Sequence, residues 1–411
     1  MSGILNTTGA VSGILGKTVG GTNAADIGAG VLPVGITGGS GLDESPLNGR
    51  NMIINGGMQV WQRATATTTV TDASYTTVDR WRLYSSSDGA YTSEKHAMSL
   101  AEINTTGHSS AIAFNVTTAD TSIAAAQYSF FDQRIESQNM QHLQWGTAAA
   151  KDVTLSFWVK SKIAGTYCVS IGKPDTTSYY LNREYTINDA DTWEYKTITI
   201  TPTAGSTTLI TGAGGIIDNN NGIGIYLRFG LAWGTDYHAT TNTWATGADW
   251  SSDQQVNWMS STDNDFYITG LQLEAGSVAT PFEHRTYGEE LTRCSRYFQK
   301  YGGDAAAGAR SVAMLSATAG STRLDFHTEM RAAPTAVVIG AGVNSSGASV
   351  TDTTWAIYHA GAWKGCASTS LNSINKTSSR IEFNSNDNCL NGGASGLYGG
   401  INTALTFLSE L

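Results

Sequence analysis

The sequence predicts an all-β protein built around an antiparallel jelly-roll β-sandwich, and both its composition and its strand patterns carry this prediction. Charged residues make up only 14% of the 411 residues, which include 46 glycines and 6 prolines. Such a composition does not favour long surface helices and suits short strands joined by many turns. Between residues 51 and 273, strand patterns follow one another without amphipathic helices between them. That succession is typical of a two-sheet sandwich.

Two strand patterns are especially clear. At residues 153–160, apolar side chains alternate with polar ones, and Trp158 falls on the polar face. Residues 223–231 repeat the alternation and place Tyr226 and Arg228 on the polar face. A period of two indicates a strand with one face toward the core. Further strands are predicted at residues 110–116, 193–200 and 265–273.

The charge balance and the hydropathy exclude two classes of partner. The chain has 24 basic and 34 acidic residues and a net charge of −10, so it lacks the basic surface that nucleic acids and anionic lipids require. Apolar runs stay well short of the ~18 residues that span a bilayer. We therefore expect no nucleic-acid partner, no membrane insertion and no export signal.

The composition divides the chain into four regions. These are an extended Gly-rich arm at 1–50, the sandwich at 51–285, a short amphipathic helix and connector at 286–301, and a second, small β-domain at 302–411. The arm has no sustained period and few bulky side chains, so it cannot bury enough apolar area to fold alone. Two alternatives remain for it: plain disorder, or docking onto the surface of a partner.

A capping box predicts where the helix begins, because Thr286 precedes Glu289 by three residues. An apolar stripe then recurs at helical spacing as far as residue 301. Its members are Tyr287, Leu291, Cys294, Tyr297, Phe298 and Tyr301. We expect a homotrimer, because this stripe and exposed strand edges need to be covered. The candidate trimer contacts are Leu291, Cys294, Phe298 and Tyr301. Packing against the chain's own sandwich explains the stripe equally well.

Short strand patterns also fill the last region. They lie at residues 311–315, 322–327, 336–339, 355–358, 379–383 and 404–408. Cys366 and Cys389 lie in this region, and their spacing does not decide whether they pair.

The connection between Ala232 and Ser261 is the main candidate for ligand binding. Structureless connections longer than about 12 to 15 residues are uncommon unless they are functional. This one is rich in aromatic side chains, and the candidates for glycan contact are Trp233, Tyr237, Trp244, Trp250 and Trp258. Flat rings can stack on the apolar faces of sugars, but a long loop also needs large side chains for a core of its own. Both alternatives stay open for each tryptophan.

Three further aromatic residues are candidates for a sugar platform on a sheet. Trp158 lies on the polar face of its strand, and Tyr179 and Tyr180 follow a polar stretch. In a trimer, a neighbouring subunit would cover such residues equally well.

Catalytic and metal-binding signals are weak. Asp263 and Asp265 are the densest acidic pair and a candidate calcium site, with a solvated turn as the alternative. No GxSxG, HExxH or phosphate-binding loop occurs. We expect no enzymatic activity and no cofactor other than calcium.

Four blocks carry a resemblance to a known family. They are NMIINGGMQVWQR at 51–63, YTTVDRW at 75–81, LSFWVKSK at 155–162, and ITGLQLEAGSVATPFEHRTYGEELTRCSRYFQKY at 268–301. They resemble the carbohydrate-binding-module-like jelly roll of bacteriophage tail fibre and receptor-binding proteins, especially those of marine phages and cyanophages. The opening MSGILNTTGAVSGILGKTVG is similar to the start of phage proteins that anchor a fibre to the virion.

The resemblance implies a trimeric, non-enzymatic protein of the virion tail. Residues 1–50 would attach to tail or baseplate proteins, and a distal part, with 302–411 as one candidate, would contact host surface polysaccharide. Two other functions remain open. One is a purely structural component of a baseplate, neck or head fibre, and the other is a carbohydrate-binding accessory module of a secreted polysaccharide-degrading system.

Overall fold

The computed structural model describes residues 49–247, 250–302, 307–315, 319–339, 355–359, 362–385, 395–399 and 404–411. They form two compact units. The first contains the described part of 1–57, with 84–91 and 96–284, and the second contains 58–83, 92–95 and 285–411. The arm at 1–50 lies outside the described residues except for its last two positions. A search of the described helices finds none that is long and apolar enough to cross a membrane.

Eleven strands precede residue 285. In chain order they are β1 Thr68–Thr69, β2 Arg82–Ser85, β3 Ala90–Ala97, β4 Ser110–Thr118, β5 Tyr128–Glu136, β6 Val153–Ser161, β7 Gly165–Lys173, β8 Tyr179–Ile187, β9 Glu194–Ile200, β10 Ile223–Trp233 and β11 Asp265–Ala275. Helix α1, Leu100–Thr106, begins at a capping box of Ser99 and Glu102 that sequence inspection missed. Short 3-10 turns lie at 137–143, 204–206, 213–215, 235–237 and 258–260.

The first unit is a jelly-roll sandwich. The first sheet has the order β4-β11-β6-β9, and the second sheet has the order β5-β10-β7-β8. Successive strands from β4 to β11 therefore alternate between the two sheets, except that β7 and β8 are hydrogen-bonded neighbours in the same sheet, and β4 pairs with β11. The pairs are antiparallel. The parts of β3 and β2 that belong to this unit extend the two sheets next to β4 and β5. The predicted fold class is confirmed.

The core lies between the two sheets and follows the alternation in the sequence. The inward side chains of β6, such as Phe157, and of β10, such as Phe229, are fully buried. The Phe229 ring stacks on that of Phe131 at 5.1 Å and meets the Phe157 ring edge-on at 5.2 Å. Burial of these apolar faces is the main stabilising contribution. The same alternation directs the remaining side chains of each strand outward.

The second unit carries the rest of the strands. They are β12 Phe298–Gly302, β13 Ala307–Met314, β14 Ala319–Asp325, β15 Thr335–Ile339, β16 Trp355–His359, β17 Ala362–Asn372, β18 Ser378–Ser385, β19 Ser395–Gly399 and β20 Ala404–Leu408. A closed barrel has the order β13-β14-β18-β17-β16-β19, and β12-β20-β15 form a separate sheet. All six predicted strands are present, and β12, β17 and β19 are additional. Cys389 lies outside the described residues.

Helix α2, Tyr287–Ser295, is shorter than the apolar stripe predicted. Its capping box is present, since the Thr286 hydroxyl accepts from the Glu289 N–H and the Glu289 carboxylate accepts from the Thr286 N–H. The extension to residue 301 was wrong. Phe298 and Tyr301 lie on β12, where they pair with Leu408 and Leu405 of β20. Hydrogen bonds to this distant strand override the local helical spacing.

Burial also corrects half of the candidate trimer contacts. Cys294 and Phe298 are only 0% and 4% exposed within the chain, so they are core residues and cannot meet copies of themselves on an axis. Leu291 and Tyr301 are half-buried, and their role in a trimer stays a prediction.

A buried ionic cluster joins distant sequence blocks within the second unit. Arg63 and Arg80 both pair with Glu410, and the Arg80 guanidinium lies 3.4 Å from the ring centroid of Tyr297. Burial raises the pKa of the neighbouring Asp79 to about 7, against the opposing effect of Arg63. Buried charges need such partners, because an unpaired one is strongly destabilising. Arg63, Arg80 and Tyr297 come from the blocks at 51–63, 75–81 and 268–301, respectively. These residues therefore stabilise the interior of the second unit.

Candidate functional site

Outward side chains of the second sheet form a row across four strands. Tyr226 of β10 lies opposite Arg134 of β5 on one side and Gly172 of β7 on the other. Gly172 in turn lies opposite Tyr180 of β8. Because side chains alternate along a strand, Arg228 lies on the same face as Tyr226. We call these five residues the tyrosine–arginine face.

Gly172 allows two rings to lie over the same strand. A Cβ at this position would come within 2.7 Å of Cε1 of Tyr180 and 2.9 Å of Cδ2 of Tyr226. Both tyrosines are half-buried, so part of each side chain stays accessible. Burial raises the pKa of Tyr226, so its hydroxyl stays protonated and can donate a hydrogen bond. Two rings flanking a bare backbone position form an apolar platform with polar edges.

The two arginines are held by aromatic and ionic contacts. The Arg228 guanidinium lies 4.6 Å from the Tyr226 ring centroid and 4.3 Å from that of Trp250. Its Nε is 3.5 Å from Oδ2 of the buried Asp132. The Arg134 guanidinium lies 5.3 Å from the Tyr226 ring. Guanidinium groups are always charged and offer several N–H donors in a fixed plane.

A polar floor continues from Arg228 toward β8. Ser170 lies opposite Arg228, and Asn182 lies opposite Ser170. Nη1 of Arg228, Oγ of Ser170 and Oδ1 of Asn182 are buried and form no hydrogen bond with any described residue. Buried polar atoms are normally hydrogen-bonded, so these three atoms make the layer beneath the rings polar rather than apolar.

The long loop returns over this face and brings predicted aromatic residues to it. The Trp250 ring stacks on that of Tyr237, with centroids 4.8 Å apart and planes at 8°. Trp250 also lies 6.5 Å from Tyr180 and 5.4 Å from Trp233. Tyr180, Tyr237 and Trp250, three of the eight predicted residues, are thus half-buried around one surface.

Four other predicted residues are buried, which corrects their assignment as glycan contacts. Trp233, Trp244, Trp258 and Tyr179 are only 6%, 1%, 0% and 8% exposed. The indole N–H of Trp244 donates to the Thr201 carbonyl and that of Trp258 to the Asp265 carbonyl. A long loop with little regular structure needs large side chains for its own core, and these rings fill that role.

Trp158 belongs to the opposite sheet. It is half-buried on β6 and lies opposite Tyr195 of β9, with ring centroids 5.3 Å apart. Its predicted outward direction holds, but it contributes nothing to the tyrosine–arginine face.

The acidic pair gives no support to a calcium site. Asp263 is exposed, while the intervening Asn264 turns inward and donates to the Trp258 carbonyl. Burial raises the pKa of Asp265. Within the part of the chain that the structure describes, no group of three or more His, Cys, Asp or Glu side chains is placed to hold a metal ion.

Sequence inspection missed Asp132, Arg134 and Gly172. Alternation along β10 already pointed Tyr226 and Arg228 outward, but only the register between β5, β10, β7 and β8 brings these residues into one row.

The sequence matches no protein-family model and no curated protein. Among solved structures, it is similar to a putative sugar binding protein from Bacteroides thetaiotaomicron, with 14% identity and a TM-score of 0.32 over 55% of this chain and 99% of that one. A family 11 carbohydrate-binding module from Clostridium thermocellum has 12% identity and a TM-score of 0.25, over 53% and 99% of the two chains.

The enzymatically active domain of bacteriophage CBA120 tailspike protein 4 also has 12% identity and a TM-score of 0.25, over 55% of this chain but only 21% of that one. Because these sequence identities and TM-scores are too low to support a functional argument, the function has to be inferred from the chain's own residues.

Proposed function

We propose that this protein is a non-enzymatic glycan-binding protein that contacts bacterial surface polysaccharide through the tyrosine–arginine face. The observation that carries the proposal is the placement of Tyr180 and Tyr226 on either side of Gly172, with Arg134 and Arg228 beside them. This arrangement combines a flat apolar platform with charged hydrogen-bond donors.

Both halves of the arrangement suit a sugar. The C–H groups of a pyranose ring present an apolar face that stacks on an aromatic ring, and its hydroxyl or carboxylate oxygens accept hydrogen bonds from guanidinium N–H groups. Neighbouring strands hold the rings, and stacking together with the Asp132 ion pair holds Arg228. Such preorganisation reduces the entropy lost on binding.

The biological setting is a proposal based on the four sequence blocks. The protein would be a homotrimeric tail fibre or receptor-binding protein of a phage virion, attached to the tail or baseplate through residues 1–50. Glycan binding on the tyrosine–arginine face would then serve host adhesion. A carbohydrate-binding accessory module could use the same face, so the setting needs a separate test.

Binding of the full chain to immobilised bacterial capsular and lipopolysaccharide glycans tests the site. Wild type should bind at least one of them, and Tyr226→Ala and Tyr180→Ala should each weaken that binding about tenfold, since each removes a stacking ring. Tyr287→Ala is the matched control, because Tyr287 is a 57% exposed tyrosine in the second unit. Equal affinities for all four proteins, or no binding to any glycan, would contradict the proposal.

Deletion of residues 1–48 tests the virion role. The truncated protein should still bind glycan but should no longer be incorporated into phage particles. Normal incorporation would refute the assignment of the arm. Release of reducing ends from a bound polysaccharide would contradict the absence of enzymatic activity.

A further inference from the structure

The opposite sheet of the sandwich carries a cavity that the tyrosine–arginine face does not involve. Its volume is about 400 Å³, within the range of about 300 to 1,000 Å³ that is usual for small-molecule sites. It lies on the outward face of β6 and β9. Its principal lining residues are Trp158, Tyr195, Phe282, His108, His284 and Ser156, and we call it the first-sheet pocket.

Two aromatic side chains form one wall. Trp158 and Tyr195 are cross-strand neighbours on β6 and β9, with ring centroids 5.3 Å apart and planes at 49°. Tyr195 is 44% exposed, which is unusual among the large side chains whose burial the structure describes. The paired strands fix both backbones, so the wall exists before a ligand arrives.

The segment after β11 forms the opposite wall, and two buried side chains hold it. Gln272 and Glu274 point outward from β11 but are 0% exposed. The N–H of Glu283 donates to Oε1 of Gln272 at 2.7 Å. The N–H and hydroxyl of Thr280 donate to the Glu274 carboxylate at 2.8 and 2.6 Å. These bonds tie residues 276–284 back over the sheet and position Phe282 and His284.

The pocket also contains polar side chains without partners. His108 is only 4% exposed, and its imidazole makes no hydrogen bond with the residues that the structure describes. Its ring meets that of Phe282 edge-on at 4.6 Å. Gly270 makes room for it, because a Cβ there would come within 2.4 Å of Nε2 of His108. The hydroxyl of Ser156 likewise has no hydrogen-bond partner among the described residues.

The lining favours an uncharged ligand. No Lys, Arg, Asp or Glu is among the described residues that line the cavity. Burial and the nearby His284 lower the pKa of His108 to about 4, so at neutral pH its ring offers one donor and one acceptor. A carboxylate or phosphate would lose its hydration here without gaining a counter-charge. An apolar aromatic wall facing neutral hydrogen-bonding groups fits a sugar ring that carries only hydroxyl groups.

We propose that the first-sheet pocket is a second glycan site, specific for a neutral hexopyranose unit. A single chain would then engage polysaccharide from two opposite faces of one sandwich. The pocket does not depend on the tyrosine–arginine face, and either site can fail without the other.

Titration of the full chain with maltotriose, mannotriose and β-1,4-galactotriose, followed by calorimetry and saturation-transfer NMR, tests this site. At least one trisaccharide should bind, and Tyr195→Ala should weaken it about tenfold. His108→Gln should weaken the same ligand severalfold. Tyr287→Ala, in the second unit, should leave it unchanged. Melting temperatures of all variants identify any that fail to fold.

Three results would overturn the proposal. The first is no binding of any of the three trisaccharides at about 10 millimolar, a concentration at which even a site with a Kd of about 1 millimolar would be mostly occupied. The second is equal binding by wild type and Tyr195→Ala. The third is stronger binding of tri-galacturonate than of galactotriose by the Tyr226→Ala variant. Loss of binding in Tyr226→Ala alone would support the tyrosine–arginine face and refute the pocket.

Discussion

The two outward faces of the sandwich use the same strand alternation for different chemistry. On the second sheet, outward positions hold Arg134 and Arg228 over the buried Asp132, with tyrosine rings beside them. On the first sheet, outward positions around Trp158 line a pocket without charged groups. Outward faces of antiparallel sheets are ordinarily solvated. Here a segment returns over each of them, and the side chains beneath decide whether the covered surface is charged or neutral.

The largest expected effect is the loss of stability when a buried tryptophan of the loop between Ala232 and Ser261 is removed. A half-buried tryptophan of the same loop serves as the comparison. Trp258→Ala should reduce the free energy of unfolding by about 3 to 5 kcal/mol, because it removes a fully buried ring. Trp250→Ala should cost less, about 1 to 2 kcal/mol, because its ring is half-buried, and should weaken glycan binding on the second sheet. Urea denaturation and binding of the two variants check this. A Trp250→Ala variant as unstable as Trp258→Ala would place Trp250 in the core.

A pH effect should distinguish the neutral pocket. The folded-state pKa of His108 is about 4, below the ordinary value of 6.5. As the pH falls from 6.5 to 4, the unfolded chain binds a proton that the folded chain does not, so the free energy of unfolding decreases. The loss should be at most about 3 kcal/mol. Denaturation of wild type and His108→Gln at both pH values measures it, and the variant should lose less. Parallel losses would contradict the assigned burial of His108.

A single methyl group should disable the tyrosine–arginine face alone. Gly172→Ala places a Cβ within 3 Å of both flanking rings, so Tyr180 and Tyr226 must move. We expect about a tenfold loss of binding on that face and no change at the first-sheet pocket. Gly288→Ala is the matched control, because nothing lies within 4 Å of its Cβ position. Unchanged polysaccharide binding by Gly172→Ala would contradict the proposed platform.

The smallest expected effect is that of salt on glycan binding. It should differ between the charged tyrosine–arginine face and the uncharged first-sheet pocket. Raising the ionic strength from 0.05 to 0.5 molar shortens the Debye length from about 14 to about 4 Å. Binding of an acidic glycan to the arginines should weaken severalfold, while binding of a neutral trisaccharide to the pocket should stay constant. Titrations at both salt concentrations measure the difference. An equal salt dependence at the two sites would show that the charges do not separate them.

Local patterns predicted much of the fold but little of the sites. Alternation alone placed Trp158, Tyr226 and Arg228 outward, because it needs no knowledge of distant partners. It could not show that Trp244 and Trp258 fill the core of a loop, since their burial depends on carbonyls at Thr201 and Asp265. The predicted helix was too long for the same reason, because pairing with β20 decides where β12 begins.

The sequence blocks that suggested a family also proved to have several structural roles. Arg63, Arg80 and Tyr297 belong to the buried cluster around Glu410 in the second unit. Trp158 and Phe282, from two of the same blocks, line the first-sheet pocket. The residues of the tyrosine–arginine face lie outside all four blocks, so a search guided by the blocks alone would not have found it.

The central claim is that one sandwich binds glycans on two chemically different faces. The most direct test compares wild type, the double variant Tyr180→Ala with Tyr226→Ala, and the single variant Tyr195→Ala on one panel of acidic and neutral polysaccharides. We expect the double variant and Tyr195→Ala to lose different sets of glycans while both keep the wild-type melting temperature. Loss of the same set by both variants, or wild-type binding by both, would contradict it.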